Sequence, residues 1–160
     1  MLYLLIFIEI AFAFPSLSLP TQSAVLDNGM RVYVHSVPQS GMVHALVHYD
    51  IGDGDVEKNG LAHLVEHLMF EPATHFQGHS YDHLLEEVGG SSNAKTGLDY
   101  IRFSSTVPIE GLERLLFLEA DRMFQLCGGL TQEDIANQID VVIQEFLTEQ
   151  IDPFFSLDSL

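Results

Sequence analysis

Ser91–Leu126 reads SSNAKTGLDYIRFSSTVPIEGLERLLFLEADRMFQL. Its first half carries strand-forming residues on either side of Thr96-Gly97, which predicts two strands joined by a turn. After Pro108 the pattern becomes a strongly apolar helix that runs to Gly128-Gly129. Upstream, Met42 to Gly52 alternates: Val43, Ala45, Val47 and Tyr49 share one face, and His44, Leu46, His48 and Asp50 share the other. That is a strand of an antiparallel sheet with one face covered. Further upstream, AVLDNGMRVYVHSV predicts two short strands around a tight turn at Asn28-Gly29, so the folded part is expected to begin near Ala24.

The helices fall between and after these strands. A polar loop, Asp53 to Gly60, leads into a helix from Leu61 to about Phe70, stopped by Pro72. Ser80 is placed to cap a second helix that ends at Gly89-Gly90. A final helix opens with a box-like pair, Thr131 and Asp134, and carries an apolar stripe of Ile135, Ile139, Val142, Ile143 and Phe146. The order is strands, helix, helix, strands, helix, helix. This predicts an α+β fold, with helices packed on one face of a largely antiparallel sheet.

Charge excludes some partners. Six Lys plus Arg stand against 23 Asp plus Glu, a formal charge of -17 over 160 residues. Nucleic acid needs basic clusters, which are missing, and an anionic membrane surface is disfavoured for the same reason. The single cysteine, Cys127, forbids an intrachain disulfide and argues against a thiolate metal site; it is expected to be a small buried residue near a helix end. Met1 to Phe14 is apolar but for Glu9, too short to span a bilayer. Residues 1–24 fit a signal-peptide core without its basic start, or an apolar arm, so any membrane association is expected through this segment alone. A periplasmic, envelope or secreted location is the expectation that follows, with the cytoplasm as the alternative.

The chemistry-bearing stretch is HLVEH, His63 to His67. Four residues is one helical turn, so both imidazoles lie about 40° apart on one face, with Glu66 beside them. Two such imidazoles can share a Zn²⁺, each through one ring nitrogen at about 2.0–2.1 Å. Two ligands are too few, so a third is required, with one position left for water. Zinc brings that water's pKa towards about 7 and polarises a carbonyl, while Glu66 takes the proton and passes it to the leaving amine. The neighbours Leu61, Ala62, Leu64, Val65, Leu68, Met69 and Phe70 are apolar, so this helix is expected to be buried on most sides. No other histidine set has comparable spacing. His44 and His48 share a strand face but lie roughly 13 Å apart, and His75, His79 and His83 are expected to be solvated.

Four stretches together resemble the inverzincin peptidases, the family of pitrilysin, insulin-degrading enzyme and the mitochondrial processing peptidase. LDNGMRVYV is similar to the opening L-x-N-G strand, and NGLAHLVEHLMF to the zinc helix. VGGSSNAKTGLDYIRFSSTVP is similar to the GG-x-x-NA-x-T-x-x-D segment, and NQIDVVIQEF to the NQR-x-VV-x-x-E helix. They cover about residues 25 to 150 in the family's order. The resemblance implies a zinc-dependent metalloendopeptidase with one Zn²⁺ per chain, held by His63, His67 and Glu145, and with Glu66 as general base. Glu145 lies 78 residues beyond His67 (145 − 67); on helical geometry alone Glu149 competes with it, and Glu119 more weakly. The resemblance also places Asn93 and Ala94 beside a peptide or unfolded-protein substrate, although Asn93 by itself reads equally as a turn residue. The chain departs from the pattern at Ile101 and Phe103, where the family's D-x-T-x-Y has Thr and Tyr, and at Ile139, where it has Arg.

Members of this family close two or more homologous domains around a peptide. Residues 25–160 therefore correspond to an incomplete zinc-bearing domain, and a second domain or a partner subunit is implied. The alternative function is a non-catalytic peptide-binding or assembly subunit of a peptidase complex.

Overall fold

The computed structural model describes residues 20–37, 39–72, 75 and 78–151, the last three as backbone only. The apolar segment expected to be a signal or arm lies almost wholly outside the described residues. Two compact units divide at Ser40. The first contains an antiparallel hairpin of β1, Thr21–Val25, and β2, Arg31–His35. Its first strand begins at Thr21, earlier than the Ala24 expected from the turn signal alone. Gly29, at φ 85°, and the Asn28 side chain, which accepts from the Met30 N–H, form the turn as the Asn-Gly pair predicted.

The second unit carries a three-stranded antiparallel sheet. Its strands are β3 (Met42–Tyr49), β4 (Ser91–Thr96) and β5 (Ile101–Pro108), in the order β3-β5-β4. Register pairs Tyr49 with Ile101 on one side of β5 and Thr96 with Ile101 on the other. Ile101, Phe103, Ser105 and Val107 of β5 are buried, joined by the half-buried Val43, Ala45, Val47 and Tyr49 of β3. The alternation of β3 therefore had the predicted sense.

Three helices lie against the sheet, α1 (Leu61–Leu68), α2 (Tyr81–Glu86) and α3 (Leu112–Gly129), and α4 (Gln132–Ile151) packs against α1. Ala62 and Met69 pack with Ile101 and Phe103 at one end of the sheet. Tyr81, Leu84, Leu85, Leu115 and Leu118 pack with Val107 at the other. Ser80 caps α2 as its position predicted, accepting from the His83 N–H. Among the described residues, no helix is long and apolar enough to cross a membrane.

An ionic group is buried between the two core clusters. Arg122 donates to both carboxylate oxygens of Glu119, at 2.6–2.9 Å, and its guanidinium lies 4.0 Å from the Phe103 ring centre and 4.3 Å from that of Tyr81. Tyr81 donates to Glu119 and meets Ser105 at 2.9 Å. Burial, and then the Glu119 charge, push the Tyr81 phenol above its ordinary range, so it serves as a fixed donor. Glu119 is thus committed to the core and is not a competing metal ligand.

Four local expectations are corrected. Cys127 is exposed, because the side chains that α3 buries, from Leu115 to Arg122, lie in its earlier turns. His75 is not simply solvated: its ring pairs with the buried carboxylate of Asp121. Leu61 and Val65 are exposed, so α1 is covered on fewer sides than its composition suggests. Ile139, Ile143 and Phe146 of the α4 stripe are also exposed. Ile135 and Val142 of the same stripe are half-buried, and Gln138 and Glu145 of α4 reach the histidines of α1.

Two predictions follow from the packing. Arg122→Ala strands the buried Glu119 carboxylate, and urea unfolding should show a loss of about 3–5 kcal/mol. At the start of α4, Thr131 N–H and Oγ1–H donate to Asp134, whose own N–H donates back to Thr131 Oγ1. The backbone bond first, then the hydroxyl, hold the Asp134 carboxyl below its ordinary range. Thr131→Ala should cost about 1 kcal/mol near neutral pH. Because the lowered value belongs to the folded state, the stabilisation is full above the unfolded value of about 3.9 and fades as pH falls through the folded one. Melts of wild type and variant should therefore draw closer in acid, as the hydroxyl's bond to the carboxylate is lost, while the cap of the Asp134 N–H keeps them apart.

Candidate metal centre

The site is built on α1, and α1 is anchored at its N-terminus. Gly60, at φ 82°, takes the left-handed conformation that lets the loop turn into the helix. Asp53 accepts from the Ala62 N–H at 3.0 Å, which satisfies one of the open donors of the first turn. The backbone around Asp53 is tied to the β4–β5 turn: Asp53 N–H donates to Gly97 O at 3.0 Å and Gly54 N–H to Leu98 O at 2.7 Å. A Cβ on Gly52 would lie 2.3 Å from Gly97 O, so the approach requires glycine. Helix and strand edge are thereby held in one register.

His63, Glu66 and His67 then emerge on one side of α1, and α4 brings Glu145 to them. His63 Nε2 and His67 Nε2 are 3.1 Å apart, and Glu145 Oε2 lies 3.4 Å from the first and 3.2 Å from the second. The three side chains are the one group of its kind among the described residues with donor atoms so close together. Donors bound at 2.0–2.1 Å around a tetrahedral ion sit about 3.3–3.4 Å apart. The triangle therefore fits zinc. Exposure rises across the cluster, from His67 at 18% through His63 at 30% to Glu145 at 46%, which leaves an open side. The side chain of Glu149, the geometric rival of Glu145, lies outside the described residues.

Glu66 is 8% exposed and is not part of that triangle. Thr96 Oγ1, at the end of β4, donates to Glu66 Oε2 at 2.5 Å. Of the other two residues expected at the site, Asn93 is exposed on β4 and its Oδ1 accepts from the Ala94 N–H. Asn93 is therefore a strand residue and not a turn residue. Ala94 points inward and packs on the cluster of Ala62 and Phe103. β4 is an edge strand of this sheet.

Two participants were passed over in the residue pattern. Thr96 lies in the NA-x-T run, and Gln138 lies in the NQ pair. Gln138 precedes Glu145 by seven residues (145 − 138), two helical turns, and so sits within about 20° of it on α4. Its Oε1 lies 3.2 Å from His67 Nδ1.

An α+β layer that presents two histidines and a glutamate around one point, with a buried glutamate alongside, has the donor set of a class of candidate metal-binding domain. Comparison with known proteins narrows the class. The family model described as Insulinase (Peptidase family M16) matches residues 50–152. The chain belongs to that family. It is 30% identical over 129 residues to the zinc protease PqqE of Helicobacter pylori, an alignment covering 78% of this chain and 28% of the relative. An uncharacterized zinc protease of Rickettsia felis is 26% identical over 130 residues, with 80% and 31% covered. The chain thus spans about a third of the length of such relatives. Among solved structures, a protease from Helicobacter pylori superposes with a TM-score of 0.74 at 28% identity, covering 79% of this chain and 31% of that one. Pitrilysin superposes at 0.63 and 25% identity, over 69% of this chain and 12% of its own.

The hydroxyl on Glu66 gives a direct test of the site's local packing. Thr96→Val removes the donor, and chemical denaturation should show a loss of about 1–3 kcal/mol. Thr96→Ser should recover most of it.

Proposed function

We propose that the chain is the zinc-bearing part of a metalloendopeptidase, with His63 Nε2, His67 Nε2 and Glu145 Oε2 as the ligands of one Zn²⁺. The observation that carries this reading is the donor triangle, whose 3.1–3.4 Å edges match those of a tetrahedral ion. When bound, zinc supplies Lewis acidity to the scissile carbonyl and lowers the pKa of a water.

The remaining work falls to the chain's own residues. Glu66 stands one residue from a ligand on the same helix face, within reach of the ion's surroundings. Thr96 engages its Oε2, so Oε1 is the oxygen free to accept the proton of the attacking water and to return it to the departing amine nitrogen. Substrate lies along the edge of β4 that no other strand pairs among the described residues, near Asn93 and Ala94. Backbone pairing at an edge binds extended peptides with little demand on their side chains. Such pairing would bring a peptide toward Thr96, and so toward Glu66.

Phe124, 85% exposed, and Phe117 on α3, with Phe146 on α4, leave apolar surface for further protein to cover. Together with the third of the relatives' length that the chain spans, this supports a second homologous domain or a partner subunit. The apolar residues 1–14 are the ground for proposing a periplasmic, envelope or secreted location.

Purified protein should bind one zinc ion per chain. Glu66→Gln should keep the zinc and lower peptide hydrolysis by about 10²–10⁴-fold, whereas Glu145→Ala should lose metal and hydrolysis together. Zinc content and cleavage of a quenched fluorescent peptide, measured on the same samples, check this. Peptide binding without cleavage in wild type would instead favour the non-catalytic subunit. Failure to take up zinc would overturn both the ligand set and the enzyme.

A further inference from the structure

Gln138 joins two groups from the α1 side of the site. Its Nε2 donates to Glu71 Oε1 at 2.5 Å, and its Oε1 faces His67 Nδ1 at 3.2 Å. All three residues are half-buried. A carboxylate without a proton can only accept, so Glu71 dictates which end of the Gln138 amide turns toward it. The carbonyl oxygen must then face His67. That oxygen cannot donate, so the proton of the neutral imidazole resides on Nδ1. The lone pair is thereby placed on Nε2, the atom that faces His63 Nε2 and Glu145 Oε2.

We propose, resting on the zinc-site reading above, that Glu71 and Gln138 act as a directional relay that presets His67 as an Nε2 ligand. Gln138 is a positioning residue, and Glu71 acts through it. Without Glu71 the amide can turn over, offering an N–H to His67 and favouring the tautomer whose lone pair points away from the site. The relay spans α1's C-terminal end and α4, the two segments that carry the ligands. It therefore also holds Glu145, two turns along α4, in range of the imidazoles.

Zinc affinity measured by competition with a chromophoric chelator tests this without any need for turnover. Gln138→Leu should weaken zinc binding about 10–100-fold, the usual cost of losing a histidine's outer partner. Glu71→Leu should weaken it in wild type and add nothing on the Gln138→Leu background, because its effect passes through the amide. The exchange Glu71→Gln with Gln138→Glu preserves every donor and acceptor, and should restore affinity that Glu71→Leu loses. It also serves as the readout should a leucine variant fold poorly. Equal affinity in all variants, or a Glu71→Leu loss of the same size in both backgrounds, overturns the relay while leaving the zinc site standing. If wild type binds no zinc, the site itself fails and the relay with it.

Discussion

The close backbone approach between residues 52–54 and the β4–β5 turn is the constraint on which the site rests. Two main-chain hydrogen bonds cross it, and Gly52 has no room for a side chain. A helix docked only by apolar side chains can slide or rotate by a fraction of a turn, since such contacts are non-directional. Backbone bonds are directional and fix α1 in register with the end of β4. That register sets Thr96 against Glu66 and points the two imidazoles away from the sheet, toward α4.

Behind this contact the core is stiffened by a buried charge. Arg122 fills space between Phe103 and Tyr81. Its charge is tolerated because Glu119 accepts from it through both oxygens and Tyr81 completes the carboxylate's bonding. The group links α3, α2 and β5 across the boundary between the two apolar clusters. Its partners are directional, so it resists the sliding that apolar layers alone would allow.

The two halves of the candidate metal centre differ in character. His63, Glu66 and His67 stand on a short helix anchored to the sheet, and Glu66 is buried. Glu145 stands on a long helix whose outer apolar residues, Ile139, Ile143 and Phe146, are exposed. α4 meets α1 through polar groups, Gln138 and Glu145, that converge on His67. Glu145 Oε2 faces both imidazole nitrogens across that contact. An ion at their centre would join α1, through His63 and His67, to α4, through Glu145, and couple metal uptake to the docking of α4.

Local chemistry determined much of this from the residue order alone. The alternation of β3, the turn at Asn28-Gly29, the Ser80 cap, the Thr131–Asp134 box and the one-turn spacing of His63 and His67 depend on neighbours within a few residues, so they are legible without the fold. Tertiary structure decided what depends on distance through space. Helical periodicity could not choose among Glu119, Glu145 and Glu149; the packing sends Glu119 into the core beside Arg122 and brings Glu145 to the histidines. It brought Gln138 and Glu145 of α4 to α1 and left Ile139, Ile143 and Phe146 exposed. It also exposed Cys127, paired His75 with Asp121, and drew Thr96 and Gln138 into the site. Those outcomes are set by which surfaces meet, and a pattern of side chains along one element does not specify its partner.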